Sequence, residues 1–144
     1  MNMEKEDYKK YIGKYIRNQF GIAKIVGLLE QNGILYLQVD KDIVYDSKTN
    51  KILGNVYPIT EESNLENRIK DLIDLIKVGD IIKWEANDIG YYGVNEVIRR
   101  PETKKTLGVY PEEYDYLLPL ERLKIIKVLT REQFEENSYE VQYG

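Results

Sequence analysis

The sequence predicts a mainly β fold of the α+β class, with a small barrel-like N-terminal sheet and a C-terminal antiparallel sheet. Two observations carry this prediction. Short β-branched runs recur between turn signals along most of the chain, and only one long segment has apolar residues at helical spacing. The 144 residues are enough for one domain or two small subdomains. We expect two subdomains, residues 1–60 and residues 61–144, that share the single principal helix.

The N-terminal subdomain is expected to form a small barrel or a strongly bent sheet. Its clearest turn is Asn32-Gly33, because these two residues tolerate the positive φ angles that a tight hairpin requires. A second turn is predicted at Asn18–Gly21, and the polar segment 46–50 supplies a third. Five short strands at this spacing are typical of a closed or curled sheet. The predicted strands cover residues 11–17, 21–29, 34–39, 43–45 and 52–57.

The principal helix is predicted to run from Ser63 to about Ile76. Ser63 and Glu66 have the spacing of a capping box, and Gly79 provides a turn just beyond the C-terminal end. The apolar residues between these signals lie on one face of a helix, which should pack against a sheet. They are Leu65, Ile69, Leu72, Ile73 and Ile76.

The C-terminal subdomain returns to strands and ends near a second, short helix. Thr130 and Gln133 form another capping box and should open a helix that ends near Glu136. The run 123–129 is strongly apolar, so we expect it in the centre of its sheet. The run 139–143 is expected at an edge, where an unpaired strand favours self-association into a homo-oligomer. The predicted strands cover residues 81–85, 91–100, 106–110, 123–129 and 139–143.

The composition favours binding over catalysis. The chain has no histidine and no cysteine, but thirteen tyrosines. The commonest general base, the thiolate nucleophile and the best zinc ligands are therefore missing. Tyrosine offers a rigid ring and one polar tip, which suit contact surfaces. We expect a protein that is not an enzyme and that needs no cofactor and no metal.

The charge and hydropathy limit the partners further. A net charge of −4 and an isoelectric point of about 5.1 have the wrong sign for a general nucleic-acid coat, and the few clustered cations make duplex DNA an unexpected partner. No run of apolar residues has the length needed to cross a bilayer. We therefore expect a cytoplasmic protein without a membrane partner.

The first candidate site is the predicted strand from Tyr91 to Arg100. Tyr91, Asn95 and Arg99 share one face of it, together with Gly93 and Val97. This face could stack a base, read hydrogen bonds and clamp a phosphate. The opposite face, which begins at Tyr92, has the denser apolar content and is expected to face the core. An ordinary solvent-exposed face with no ligand is the alternative interpretation.

Three other clusters combine rings with charges. Arg99 and Arg100 belong to a basic group that continues to Lys104 and Lys105 and has a local charge of +3, with Glu102 opposing it. The loop Tyr110–Tyr116 mixes three rings with three carboxylates, which lack the spacing of a calcium loop. The N-terminal run alternates aromatic and basic residues, a combination that suits single-stranded nucleic acids or nucleotides. Its members are Tyr8, Lys9, Lys10, Tyr11, Lys14, Tyr15 and Arg17. The candidate ligand-binding residues are Tyr91, Asn95, Arg99, Arg100, Tyr110 and Arg17.

Three segments of the chain resemble recurring sequences in one group of proteins. Arg17–Ile25 resembles the opening IRTKYGIAKI, Asp71–Asp80 resembles NIIDLIEVGDYV, and Val128–Val141 resembles an ending that begins ILTKEQFE. This order is similar to that in small accessory proteins carried by phages and prophages of Gram-positive bacteria. The middle of the chain, Trp84–Tyr116, departs from the short NGYKV stretch of the group.

The resemblance implies a role in the cytoplasm of an infected bacterial host. Accessory phage proteins of this size often counter bacterial defence. The favoured function is binding and sequestration of an anionic, nucleotide-derived immune signal without catalysis. Two alternatives remain open: a protein inhibitor of a host defence complex, similar to an anti-CRISPR protein, or a structural or regulatory phage protein.

Overall fold

The fold is mainly β, and the predicted α+β class is confirmed. The computed structural model describes residues 5–60, 65–100, 106–112 and 116–137. The chain divides into two compact units, Met1–Leu75 and Ile76–Gly144. The boundary therefore follows Leu75, whereas the sequence predicted it after residue 60.

The first unit is built on a curled four-stranded antiparallel sheet with the strand order β1-β2-β3-β6. A separate two-stranded hairpin pairs β4 with β5. The strands are β1 (Tyr15–Asn18), β2 (Gly21–Gln31), β3 (Ile34–Val39), β4 (Val44–Tyr45), β5 (Ile52–Gly54) and β6 (Val56–Pro58). The helical pieces are α1 (Lys5–Tyr8), single 3-10 turns at Lys9–Tyr11 and Leu65–Asn67, and α2 (Leu72–Leu75).

Local turn chemistry explains how this sheet closes. Gln31 pairs with Ile34 across Asn32 and Gly33, whose φ angles of 53° and 76° are both positive. The predicted Asn-Gly hairpin is thus confirmed. A register shift between Ile25 and Gly27 adds a bulge to β2, and bulges bend a strand and increase its twist.

The core of the first unit lies on one face of the curled sheet. Its fully buried side chains alternate along the strands, as expected when one face of an antiparallel sheet is covered. Leu65 and Ile69 join it from the segment that follows β6. The sheet members of the core are Ile16, Ala23, Ile25, Leu37, Val39 and Tyr57, and Ile43 and Val44 complete it.

The predicted helix from Ser63 to Ile76 is wrong in its described part, which contains only short helical turns. Ser63 itself lies outside the described residues. The helix is interrupted at Lys70, whose backbone N–H donates to the Tyr15 carbonyl at 3.0 Å while the Tyr15 N–H donates to the Lys70 carbonyl at 2.8 Å. These two bonds satisfy the edge of β1. In a continuous helix, the Lys70 N–H and carbonyl would form hydrogen bonds within the helix. Because they bond to the Tyr15 backbone instead, the helix is interrupted at Lys70.

The second unit contains two three-stranded antiparallel sheets, with the orders β12-β7-β8 and β11-β10-β9. Its strands are β7 (Ile81–Ala86), β8 (Tyr91–Glu96), β9 (Ile98–Arg99), β10 (Leu107–Val109), β11 (Leu118–Pro119) and β12 (Lys124–Leu129). A 3-10 turn at Leu120–Arg122 precedes β12, and α3 (Arg131–Asn137) follows it.

The strand at 123–129 does not occupy the predicted central position. It is β12 and lies at one end of its sheet, where Ile126 and Leu129 remain 38% and 40% exposed. The central strand is β7, because its alternating side chains Ile82, Trp84 and Ala86 are at most 1% exposed. The predicted edge strand at 139–143 lies outside the described residues.

The start of α3 confirms the second capping box. The Gln133 N–H donates to the Thr130 hydroxyl at 3.2 Å, and the Thr130 N–H donates to the Gln133 side-chain oxygen at 3.1 Å. The carboxylate of Asp80, which is fully buried, accepts a further bond from the Arg131 N–H at 2.9 Å. Together these bonds satisfy backbone donors that the first turn of a helix leaves open.

The helices of the described residues are all too short and too polar to cross a lipid bilayer.

Candidate functional site

The faces of strand β8 are the reverse of those predicted. Tyr92 and Val94, which were assigned to the core, are 81% and 63% exposed. Tyr91, Gly93 and Asn95 are half-buried on the opposite face, and Val97 just beyond the strand is fully buried. The row that was expected to meet a ligand is therefore the row that packs inside the second unit.

One tryptophan explains this reversal. Trp84 on β7 pairs directly with Gly93, and its indole N–H donates to the Asn95 side-chain oxygen at 2.9 Å. A Cβ atom at Gly93 would lie only 3.2 Å from the Trp84 ring. The bare glycine and the short amide thus make room for the largest side chain of the unit. Counting apolar residues on β8 alone missed this partner.

The predicted binding row is also interrupted before it reaches Arg99. Strand β8 pairs with β7, whereas Arg99 belongs to β9 and pairs with Leu107 of β10 in the other sheet. Arg99 is exposed, and the neighbouring Arg100 is half-buried and donates its backbone N–H to the Thr106 carbonyl at 2.7 Å. The chain thus passes from one sheet to the other between Asn95 and Arg99. Tyr91 and Asn95 lie on the first sheet, and Arg99 lies on the second.

The remaining predicted site residues have separate surroundings. Tyr110 is 45% exposed and directly follows β10. Arg17 lies on β1, where its guanidinium donates to the Leu75 carbonyl at 2.8 Å and so holds the C-terminal end of α2. Lys104 and Lys105 of the basic cluster and residues 113–115 of the tyrosine-rich loop lie outside the described residues.

A different concavity lies in the first unit and uses the N-terminal aromatic-basic run. It is an open groove of about 350 Å³. Its lining residues come from two segments that are far apart in sequence, and we call them together the N-terminal groove. They are Lys10, Tyr11, Lys14, Ile69, Lys70, Asp71 and Asp74.

Backbone hydrogen bonds position the first wall of the N-terminal groove. The Lys14 N–H donates to the Tyr11 carbonyl at 3.0 Å, and Gly13 between them has a φ angle of 93°, a conformation that favours glycine. The Gly13 N–H and the Lys14 carbonyl then bond to the Ile25 backbone, each at 2.8 Å. The turn that carries Lys10 and Tyr11 is thereby attached to strand β2.

The second wall is positioned by the pairing of Lys70 with Tyr15. This pairing brings Lys70, Asp71 and Asp74 beside the N-terminal turn. Ile69 is only 9% exposed and anchors the wall in the core, while Lys70, Asp71 and Asp74 are exposed. The second wall of the groove therefore exists because the predicted helix is interrupted at Lys70, where the backbone pairs with Tyr15.

The groove contains three positive and two negative charges, a net of +1. The Lys14 ammonium pairs with the Asp71 carboxylate at 2.6 Å. The Lys10 ammonium lies 5.1 Å from the centroid of the Tyr11 ring, within the range of a cation–π contact. The side chains of Lys70 and Asp74 make no hydrogen bond or ion pair with the residues that the structure describes.

This arrangement can hold an anion beside an aromatic surface. Lysine ammonium groups act as point charges toward phosphate oxygens. Tyr11 is half-buried, packs against the core, and lies 6.0 Å from the Tyr8 ring, so its ring has a supported position. In the described part of the chain, no three carboxylates come together in the way that a metal ion needs.

The sequence pattern identified only half of the groove. Lys10, Tyr11 and Lys14 belong to the alternating N-terminal run that was expected to suit nucleotides. Lys70 and Asp74 had no such signal, because the segment that carries them was assigned to a plain packing helix. Their contribution depends on a strand pairing across more than fifty positions of the chain.

No family model, no curated protein and no solved structure matches this chain.

Proposed function

We propose that this protein binds an anionic, nucleotide-derived immune signal and sequesters it without consuming it. The observation that carries this proposal is the N-terminal groove, in which Lys10 and Lys70 accompany the supported ring of Tyr11. A volume of about 350 Å³ lies at the lower end of small-molecule sites, which run from about 300 to 1,000 Å³. Cations combined with an aromatic face suit the phosphate and the base of a nucleotide.

The residue types of the groove favour holding the ligand over converting it. The chain offers no histidine and no cysteine to serve as base or nucleophile. Asp71 is already paired with Lys14 at 2.6 Å. Lysine, tyrosine and isoleucine complete the lining, and they bind by charge, stacking and apolar contact.

The biological setting of the proposal comes from the resemblance to small phage and prophage proteins. In the cytoplasm of an infected bacterium, a protein that removes a nucleotide signal would block the defence that depends on it. We propose that it acts as a homo-oligomer, for which light scattering is the direct measurement. A monomeric mass at working concentration would contradict that part alone.

The first experiment tests binding and the fate of the ligand together. The purified protein is incubated with a panel of cyclic and ADP-ribose-type defence nucleotides, heated, and the released material is separated by chromatography. Recovery of an intact nucleotide supports sequestration. A cleaved product indicates an enzyme, and the absence of any bound nucleotide contradicts the proposed function.

Matched lysine variants then test the site. We expect Lys10→Gln and Lys70→Gln each to weaken binding at least tenfold, because a charge-assisted phosphate contact contributes about 1.5–3 kcal/mol. Lys48→Gln, on the exposed turn between β4 and β5, removes the same charge outside the groove and should have little effect. If Arg99→Ala and Tyr91→Ala weaken binding instead, the site belongs to the second unit.

A second candidate function is inhibition of a host defence protein through a surface contact. Tyr92 and Val94 favour it, because they place an aromatic and an aliphatic side chain, 81% and 63% exposed, two residues apart on β8. Exposed aromatic residues are enriched at protein interfaces. Capture of a purified defence complex by the parent, and loss of capture in Tyr92→Ser, would support this function.

A further inference from the structure

We infer that the N-terminal groove is specific for ribonucleotides and that Asp74 accepts hydrogen bonds from the ribose hydroxyls. The inference rests on the proposed function and adds the substrate class. It starts from a feature that anion binding alone does not explain. Two carboxylates line the groove beside the three lysines, and a carboxylate repels a phosphate.

The two carboxylates have different surroundings. Asp71 is neutralised by Lys14, with 2.6 Å between the ammonium nitrogen and the carboxylate oxygen. Asp74 is exposed on α2, and its side chain has no hydrogen bond or ion pair with any described residue. An ionised carboxylate only accepts hydrogen bonds. Asp74 therefore matches a ligand that brings hydroxyl or amino donors close to its phosphate.

The ribose is the donor that best fits this position. In any nucleotide the sugar lies between the base and the phosphate. Tyr11 and the lysines Lys10 and Lys70 line the same small groove as Asp74, so a nucleotide that uses the ring and a cation places its sugar within the groove. An acidic side chain that accepts from the ribose hydroxyls is a recurring solution in nucleotide recognition. An exocyclic amino group of the base is the other possible donor.

The size of the groove limits the part of the ligand that it can hold to about one nucleotide unit. Its volume of about 350 Å³ is small for a ligand site. A longer signal would occupy the groove with one unit and leave the rest in solvent. The specificity for ribose should therefore already be present in mononucleotides, which makes them adequate probes.

The test measures two nucleotide series against three proteins by calorimetry: the parent, the Asp74 variant and a control variant at Asp42. The series are the four ribonucleoside 5′-monophosphates and their 2′-deoxy counterparts. In the parent, we expect each ribonucleotide to bind about tenfold more tightly than its deoxy counterpart, as loss of a hydrogen bond to a charged group implies. Asp74→Ala removes both the charge and the carboxylate oxygens that accept hydrogen bonds, and it should abolish most of this preference.

Asp42→Ala is the matched control, since it removes an exposed carboxylate of the same unit that does not line the groove. It should keep the ribose preference of the parent. Circular dichroism and the thermal midpoint of each variant check folding. An exposed side chain without a described partner should leave both unchanged.

The outcomes separate the inference from the proposed function. Equal binding of ribo- and deoxynucleotides by the parent, or a ribose preference that survives in Asp74→Ala, overturns the inference and leaves nucleotide binding intact. A preference that follows the amino group of the base and is lost in Asp74→Ala also overturns it. No binding of either series overturns the proposed function, and the inference with it.

Discussion

The N-terminal groove and strand β8 are made of similar residues but use them differently. Both segments combine tyrosines with polar or charged side chains. In the groove, Lys10 and Lys70 are exposed beside a supported ring. On β8, Tyr91 and Asn95 are half-buried on the inner face, where Asn95 accepts a hydrogen bond from the buried Trp84. The difference shows that packing decides whether the polar atoms of such a segment remain accessible to a ligand.

The partner element decides which outcome occurs. The face of β8 is set by an indole on the neighbouring strand, which needs the space above Gly93. The second wall of the groove is formed by the segment around Lys70, which is not helical at Lys70 because its backbone pairs with Tyr15. In both cases a residue outside the tyrosine-containing segment determines which of its side chains are buried and which can line a groove.

The largest expected effect is a loss of stability in Trp84→Ala. Removing a fully buried indole should lower the free energy of unfolding by about 3–5 kcal/mol. Urea unfolding followed by circular dichroism is the suitable measurement, because Trp84 is the sole tryptophan of the chain. Tyr92→Ala on the exposed face of β8 should change stability by no more than about 0.5 kcal/mol. Equal losses in the two variants would contradict the assignment of the faces.

The next effect is on ligand affinity, and it should separate the two regions. Lys70→Gln should weaken nucleotide binding by about 1.5–3 kcal/mol. Its stability should stay within about 0.5 kcal/mol of the parent. Lys83→Gln, which removes an exposed lysine from β7 next to β8, is the matched control and should bind normally. If the Lys83 variant loses affinity and the Lys70 variant does not, the groove is not the site.

A somewhat smaller effect is expected from a single methyl group. Gly93→Ala would place its Cβ atom 3.1 Å from the Asn95 side-chain oxygen and 3.2 Å from the Trp84 ring. We expect this crowding to cost about 1–3 kcal/mol in urea unfolding monitored by tryptophan fluorescence. Gly27→Ala on β2 is the control, because its nearest contact would be an ordinary 3.5 Å. A Gly93→Ala variant as stable as the control would show that the inner face of β8 is loosely packed.

The stability of the protein at alkaline pH should depend on one buried tyrosine of the first unit, Tyr57. Burial raises the pKa of Tyr57 above its ordinary value of 10.0, although the nearby Arg68 opposes the shift. The folded state therefore favours the neutral phenol. Its stabilising contribution is complete below pH 10 and is lost as the pH rises through the folded-state pKa. Tyr57→Phe should make stability fall less steeply above pH 10, and an unchanged pH profile would contradict this.

The smallest effect is expected at the ion pair between Lys14 and Asp71 in the groove. Both side chains are about half exposed, at 43% and 61%. A double-mutant cycle with Lys14→Gln and Asp71→Asn should give a coupling energy of about 0.2–1 kcal/mol. High salt should reduce it further. A coupling several times larger would mean that the pair holds the two walls of the groove together.

Local signals predicted much of the fold. The turn at Asn32-Gly33 and the capping box of Thr130 and Gln133 are both present. In the turn between β4 and β5, the Asp46 carboxylate accepts the Lys48 backbone N–H at 2.9 Å. Each of these features depends on residues within three positions of one another, so the sequence contains the whole interaction.

Two predictions that were wrong, the principal helix and the faces of β8, concern places where the local sequence was compatible with more than one structure. The apolar residues from Leu65 to Ile76 do have helical spacing, and Leu65, Ile69 and Ile76 are buried as that pattern implies. The spacing of apolar residues carries no information about the edge of β1, whose Tyr15 backbone forms hydrogen bonds with the Lys70 backbone. On β8, the face with the denser apolar content is the exposed one, because Trp84 on the neighbouring strand packs against the other face.

The sequence alone therefore determined the mainly β class, the hairpins, the helix cap and the absence of histidine and cysteine from any chemistry of this protein. The tertiary structure decided which face of β8 is buried, where the predicted helix breaks, and that Lys70 and Asp74 join Lys10 and Tyr11. The physical reason is the range of the interactions. Turns and caps are satisfied by neighbours, whereas the groove depends on the backbone pairing of Tyr15 with Lys70, which lie 55 positions apart in the sequence.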